Sequence, residues 1–269
     1  MGVAVSGLLF VVATFAVTFG AYFLAHRWLH GSVDQEARDL SSSMVFRVAA
    51  MHGLILALVF SQELANNNAI NAGVVREANQ LEGVFKDLEF FKASGQARDD
   101  VAAIKATMKL YVEAIISDEW SSLNTDKRLN PLANDYWDQM YQQLLDLPAS
   151  GDRQTWLRNR MLSKIDAIGL ERDSREIAAA TDINPIFWIV AFVGIAAIAA
   201  PYFVFEMNRV TGLLLIMYTA YVAAVLFFIN MFDYPFSDFG MVRPAALQLF
   251  YEQYLQSVPV PGGIGPGTG

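Results

Sequence analysis

Four stretches of the chain, Met1 to His26, Val48 to Gln62, Ile183 to Phe205 and Val210 to Phe232, contain no Asp, Glu, Lys or Arg. Three of them reach the ~20 helical residues that cross a hydrocarbon core of ~30 Å. Composition agrees, with 54% hydrophobic residues, 17% charged residues and a mean hydropathy of +0.32. Such a chain belongs in a lipid bilayer. The second run is the shortest; it spans if Arg47 snorkels to one interface and the helix tilts little. The first run has no basic segment before it and exceeds the apolar core of a signal peptide, so it reads as a retained anchor.

That second run raises the main question, because "VFSQELANNNAINAGVVREANQLEGVF", residues 59–85, turns polar without a proline. On a helix of ~100° per residue, Phe60, Leu64, Asn67, Asn71, Val74, Ala78, Leu81, Phe85 and Leu88 fall on one stripe. The pattern predicts a single rod that leaves the membrane and packs along this stripe. On the opposite side Leu54, Leu58, Ser61, Ala65, Asn68, Ala72 and Arg76 pass from apolar to small to polar to cationic. A pore-lining helix would show this series, with an apolar ring at Leu54 and Leu58 and then a wetter vestibule at Ser61, Asn68 and Arg76, where Arg76 as a lone cation attracts anions. Any helix leaving a membrane also becomes polar on its outer face, so a plain exit is the simpler account of the series.

Between the second and third spans, Glu63 to Asp182 holds 20 acidic and 14 basic residues, most of the net charge of −8. This domain faces water, and without clustered cations nucleic acid is not an expected partner. Val101, Ile104, Met108, Tyr111 and Ile115 recur at helical spacing, as do Trp137, Met140, Tyr141 and Leu144, then Trp156, Met161, Ile165 and Ile168. Breaks at Ser94-Gly95, Asn130-Pro131 and Pro148 to Gly151 predict roughly four helices. Asn184-Pro185 supplies a cap and a first-turn proline for the third span. Glu206 to Arg209 is too short to join anything but antiparallel neighbours, so the last two spans form a hairpin. Pro201 predicts a kink. After the hairpin, Pro244 starts a helix whose Leu247, Phe250, Tyr254 and Val258 share a face and dock back on the water-facing helices.

The expected organisation is 1–62 for the first two spans, 63–182 for the helical domain continuing from the second, 183–232 for the hairpin, 233–258 for the redocking segment and 259–269 for a flexible tail. Arg76, Arg172, Arg175 and Arg243 against Arg27, Arg38 and Arg209 favour a cytoplasmic position for the large domain and both termini.

No cysteine occurs, which excludes disulfides, thiolate catalysis and Cys-ligated metals. His26 and His30 lie one helical turn apart and His52 sits inside the second run; an aromatic-belt role and a buried neutral imidazole are the simpler readings, cofactor ligation the sharper one. No phosphate-binding glycine loop, nucleophile elbow or His-Glu-x-x-His motif is present, and no enzymatic activity is expected.

"LALVFSQE" (56–63), "VVREANQLEGV" (74–84, with Glu77 and Asn79) and "NMFDYPFSDFGMVRPAAL" (230–247, with Asp233, Pro235, Phe236 and Asp238) resemble segments of the bacterial bestrophin-like membrane family. The resemblance, which extends to the order of spans and insert, implies an all-α membrane protein with four transmembrane helices and a helical cytosolic insert between the second and third. It also implies a homopentameric anion channel of a bacterial inner membrane, with the second span lining the pore and chloride or another inorganic anion as the permeant species. In bestrophins an acidic run after Pro-Phe helps to hold calcium; here only Asp238 follows Pro235-Phe236, with Asp233 before it, against the about 6 to 8 oxygens that Ca²⁺ takes. No metal or cofactor is expected. The competing reading is a membrane sensor or scaffold whose helical domain binds a partner protein or ligand.

Overall fold

The structure, a computed structural model, describes residues 3–29, 34–91, 96–237 and 240–260. No strand occurs among them. The elements are α1 (Val3–Trp28), α2 (Gln35–Phe90), α3 (Gln96–Ala114) continuing through a π-turn (Ile115–Glu119) into α4 (Trp120–Thr125), α5 (Pro131–Asp146), α6 (Asp152–Ala180), α7 (Pro185–Ala199) tightening to a 3₁₀ turn (Ala200–Val204), α8 (Arg209–Phe232) and α9 (Ala245–Phe250) ending in a second π-turn (Tyr251–Leu255). Four helices are long and apolar enough to cross a membrane: α1, α2, α7 with its 3₁₀ turn, and α8.

Helix α2 is unbroken over 56 residues. At 1.5 Å per residue it is about 84 Å long, far beyond any hydrocarbon core, so most of it must lie in water. It also starts earlier than its apolar run: the Asp34 carboxylate accepts a hydrogen bond from the Ala37 amide at 2.8 Å and caps the helix at Gln35. Residues 35–47 are therefore helical as well, and α2 extends beyond the run Val48–Gln62 at both ends.

The chain divides into two compact units. The first comprises residues 1–66 and 182–234. Its core is Leu56 of α2 packed with Ala191 and Ile195 of α7 and Val222, Leu226 and Ile229 of α8. The Phe10 ring lies 4.2 Å from Trp188, and Phe60 lies 5.2 Å from Phe232. Both hairpin helices are capped by asparagine: Asn184 accepts from the Ile186 amide, and Asn208 from the Val210 and Thr211 amides. Pro201 has no amide proton to give the α-pattern, and the helix tightens at Ala200. The Ser41 hydroxyl donates to the Pro201 carbonyl at 2.8 Å, tying the start of α2 to this turn. Gly194 leaves room for a buried ring, since a Cβ there would stand 2.1 Å from His52 Nδ1.

The second unit comprises residues 67–181 and 235–269. The polar half of α2, α3, α5 and α6 enclose one core in which Leu81, Met108, Met140, Leu144, Ile165 and Ile168 are fully buried. The last segment belongs to the same core through Phe236, Leu247, Phe250 and Leu255. Its entry is a tight loop: the Val242 amide donates to the Pro235 carbonyl, the Gly240 amide donates to Ser237, and Trp120 Nε1 donates to the Val242 carbonyl at 3.0 Å. A Cβ at Gly240 would lie 2.1 Å from the Pro235 oxygen, which is backbone and cannot swing away. Gly240→Ala is expected to lower stability by about 1–3 kcal/mol. Thermal unfolding of the detergent-solubilised full chain checks this, an unchanged melting temperature counting against the contact.

Candidate functional site

The stripe predicted to pack is the buried one. Asn67, Val74, Ala78, Leu81, Phe85 and Leu88 are buried, while Phe60, Leu64 and Asn71 are half-buried. The Asn71 amide donates to the Met241 carbonyl at 3.4 Å, a weak contact that nonetheless places this polar residue against the redocked segment. The opposite line is the open one. Leu54 and Leu58 are 61% and 63% exposed, and Ser61, Asn68 and Arg76 are exposed as well. Two leucines so exposed on a helix whose other face is packed form an apolar strip that none of the described residues covers.

Arg76 is not a free cation. Its Nε and Nη2 donate to the two carboxylate oxygens of Glu171 at 2.6 and 2.9 Å, a bidentate pair. The hydrogen bond to Glu171 raises the pKa of Arg76 above the ordinary arginine value. A Cβ at Gly73 would come 2.9 Å from Glu171 Oε2, so the bare backbone there makes room for the fork. The side chains at this point form a neutral pair and not the lone charge expected from sequence.

Behind the open face lies a buried charge cluster. Glu77 on α2 accepts from the Tyr111 hydroxyl of α3 at 2.5 Å and from Arg175 Nη1 of α6 at 2.5 Å. Arg175 Nη2 donates to Glu119 at 2.5 Å, and Arg172 pairs with the other Glu119 oxygen at 3.4 Å while donating to Asn134 of α5. Glu77, Tyr111 and Glu119 are completely buried and both arginines are 3% exposed. Two carboxylates and two guanidiniums balance, as buried charges must. Burial opposes the charge on Arg175, but Glu77 and Glu119 outweigh it and its pKa rises above the ordinary value. Burial pushes the Tyr111 hydroxyl well above its ordinary range, so it stays a neutral donor. The π-turn aims Glu119 inward: two α-turns past Tyr111 would bring Asp118 in, but the inserted residue leaves Asp118 exposed.

A second pin joins α2 to α6, where buried Asp87 accepts from Arg160 and from Lys164. Burial alone would raise its pKa; the two cations overcome this and hold the carboxyl below its ordinary value. A folded pKa depressed below the unfolded ~3.9 stabilises at neutral pH, and that stability is lost as pH falls through the folded pKa. Asp87→Asn is expected to cost about 1–3 kcal/mol at pH 7. Melting curves at pH 7 and below pH ~4 should show the deficit shrinking on acidification.

Of the motif residues, Glu77 is in the cluster and Asn79 is exposed. Asp233 accepts from the Ile183 amide at 2.8 Å, closing α8 onto the entry to α7. Pro235 is buried, and Phe236 meets Trp120 edge-on at 6.0 Å. Asp238 and His30 lie outside the described residues. His26 stacks on Tyr22, with ring centroids 6.0 Å apart. Among the described residues no three His, Asp or Glu side chains gather as metal ligands.

A comparison with curated proteins gives no match. Among solved structures the fold is similar to the crystal structure of a variant of a membrane protein, with TM-score 0.63 and 12% identity over 95% of this chain and 97% of that one. It is also similar to two crystal structures of variants of a bacterial bestrophin homologue from Klebsiella pneumoniae. One has TM-score 0.59 and 12% identity over 94% of this chain and 98% of that one. The other has TM-score 0.57 and 13% identity over 97% and 98%. At such identities the likeness establishes the fold. The sequence itself carries the kinship, because the model of the Bestrophin-like domain matches residues 12–247. An integral membrane protein whose long second helix passes from an apolar unit to a charged one, this chain belongs to the Bestrophin-like family.

Proposed function

We propose that the chain is the subunit of a homo-oligomeric, most simply pentameric, anion channel of a bacterial inner membrane, with α2 lining the pore and the helical unit and both termini in the cytoplasm. The observation that supports this best is the open line on α2. Leu54 and Leu58 stay open among the described residues, and Ser61 and Asn68 continue the same line with groups that favour water and not lipid. Several copies around an axis give those residues a narrow apolar neck and a wet vestibule. Family membership supports the same reading. On this reading the lipid bilayer and further copies of the chain are its partners, and chloride or a similar inorganic anion is the permeant ion.

The test is direct. Purified protein should elute as an oligomer of constant stoichiometry and carry chloride across planar bilayers under a chloride gradient. A monomer in detergent that passes no current after reconstitution removes this function and leaves the sensor or scaffold reading.

A further inference from the structure

Helix α2 carries two more charges on the open line, Glu36 in its first turn and Arg47 three turns further on, and both positions are visible only because the helix starts at Gln35. From Leu40 to Gln62 the chain has no carboxylate; Arg47 is the only fixed charge in this stretch. At ~100° per residue Arg47 lies about 20° from Leu54 and about 20° from Leu58 on the helix circumference, two turns before Leu54. It is exposed, and among the described residues its side chain makes neither a hydrogen bond nor an ion pair. Arg76, at the other end of the line, is neutralised by Glu171. The cation expected from sequence to act on ions is thus paired, and the unpaired one lies on the far side of the apolar neck.

An unpaired guanidinium at the edge of an apolar run needs water or an anion. Since it shares a face with Leu54 and Leu58, the surroundings that serve those leucines serve it too. We infer that Arg47 lines the pathway two helical turns before Leu54 and, repeated in each copy, forms a ring of positive charge that sets the preference for small inorganic anions over cations. The inference rests on α2 lining the pore. Its chemistry is general: a ring of unneutralised guanidiniums raises the local anion concentration and rejects cations, most strongly where salt is dilute.

Reversal potentials in reconstituted bilayers test it, with wild type, Arg47→Gln and Arg47→Lys. Arg47→Gln should lower the chloride-to-sodium permeability ratio about tenfold at ~0.01 M salt and far less at ~0.15 M, because the Debye length falls from ~30 to ~8 Å. Arg47→Lys should keep the wild-type ratio. Because the chain has no cysteine, Arg47→Cys offers a second readout. A cationic methanethiosulfonate should restore the anion preference and an anionic one should depress it further; this also serves if the glutamine variant fails to assemble. A conducting wild type whose ratio is unmoved by Arg47→Gln, or by either label on Arg47→Cys, overturns the inference while leaving the channel standing. A wild type that does not conduct overturns the channel itself, and the inference with it.

Discussion

Replacing Arg175 with methionine is expected to destabilise the helical unit by about 3–5 kcal/mol, the loss that follows when one member of a buried ionic network is removed. Arg175 alone bridges Glu77 and Glu119, at 2.5 Å to each. Arg172 cannot take over, because it reaches Glu119 at 3.4 Å and spends a hydrogen on Asn134, leaving Glu77 with only the Tyr111 hydroxyl. Methionine fills similar volume, so the effect is electrostatic and not a cavity. Without the guanidinium, two buried carboxylates face each other and one must take up a proton. The full chain in detergent is the right sample, and tryptophan emission a suitable probe, since Arg175 lies over the Trp120 ring at 5.4 Å. Adding Glu77→Gln to the methionine variant should recover part of the loss, because the carboxylate left without its cation is removed while Arg172 keeps Glu119. An unchanged melting temperature for Arg175→Met, or further loss in the double variant, would show that these side chains do not act as one network.

This cluster was invisible in the sequence for a physical reason. Helical periodicity identifies which positions turn inward, and it placed the stripe from Phe60 to Leu88 because apolar residues mark it. Glu77 falls beside that stripe and reads as solvated until Arg175 arrives from a helix elsewhere in the chain. Glu119 is harder still, since the π-turn shifts the register and regular spacing would select Asp118. Glu171, the partner of Arg76, was hidden in the same way, and with it went the reading of Arg76 as a lone charge. The early start of α2 had a signal, the capping Asp34 before Gln-Glu-Ala, overshadowed by the apolar run that begins only at Val48. Caps and apolar periods are local and legible; the pairing of charges across helices is not.

The open face itself was a local property, and its largest expected consequence is for permeation. If Leu58 points at the axis, its copies form a constriction where an ion sheds hydration and gains nothing in exchange. Leu58→Ala widens the ring and admits water. A barrier lowered by ~1.4 kcal/mol raises single-channel conductance about tenfold, and an effect of that order is expected without a change in oligomer size. Phe60→Ala is the contrasting variant, because Phe60 packs on Phe232 within one protomer at 5.2 Å. Its truncation should lower thermal stability and leave the conductance of the surviving channels near wild type. Leu58 is 63% exposed in the single chain, so its replacement by alanine removes little packing within the protomer. Any loss of assembly on Leu58→Ala would therefore report a contact between copies. A dissociated Leu58→Ala protein, or an intact one with unaltered conductance, would put Leu58 in a subunit interface or against lipid and require another face of α2 to line the pore.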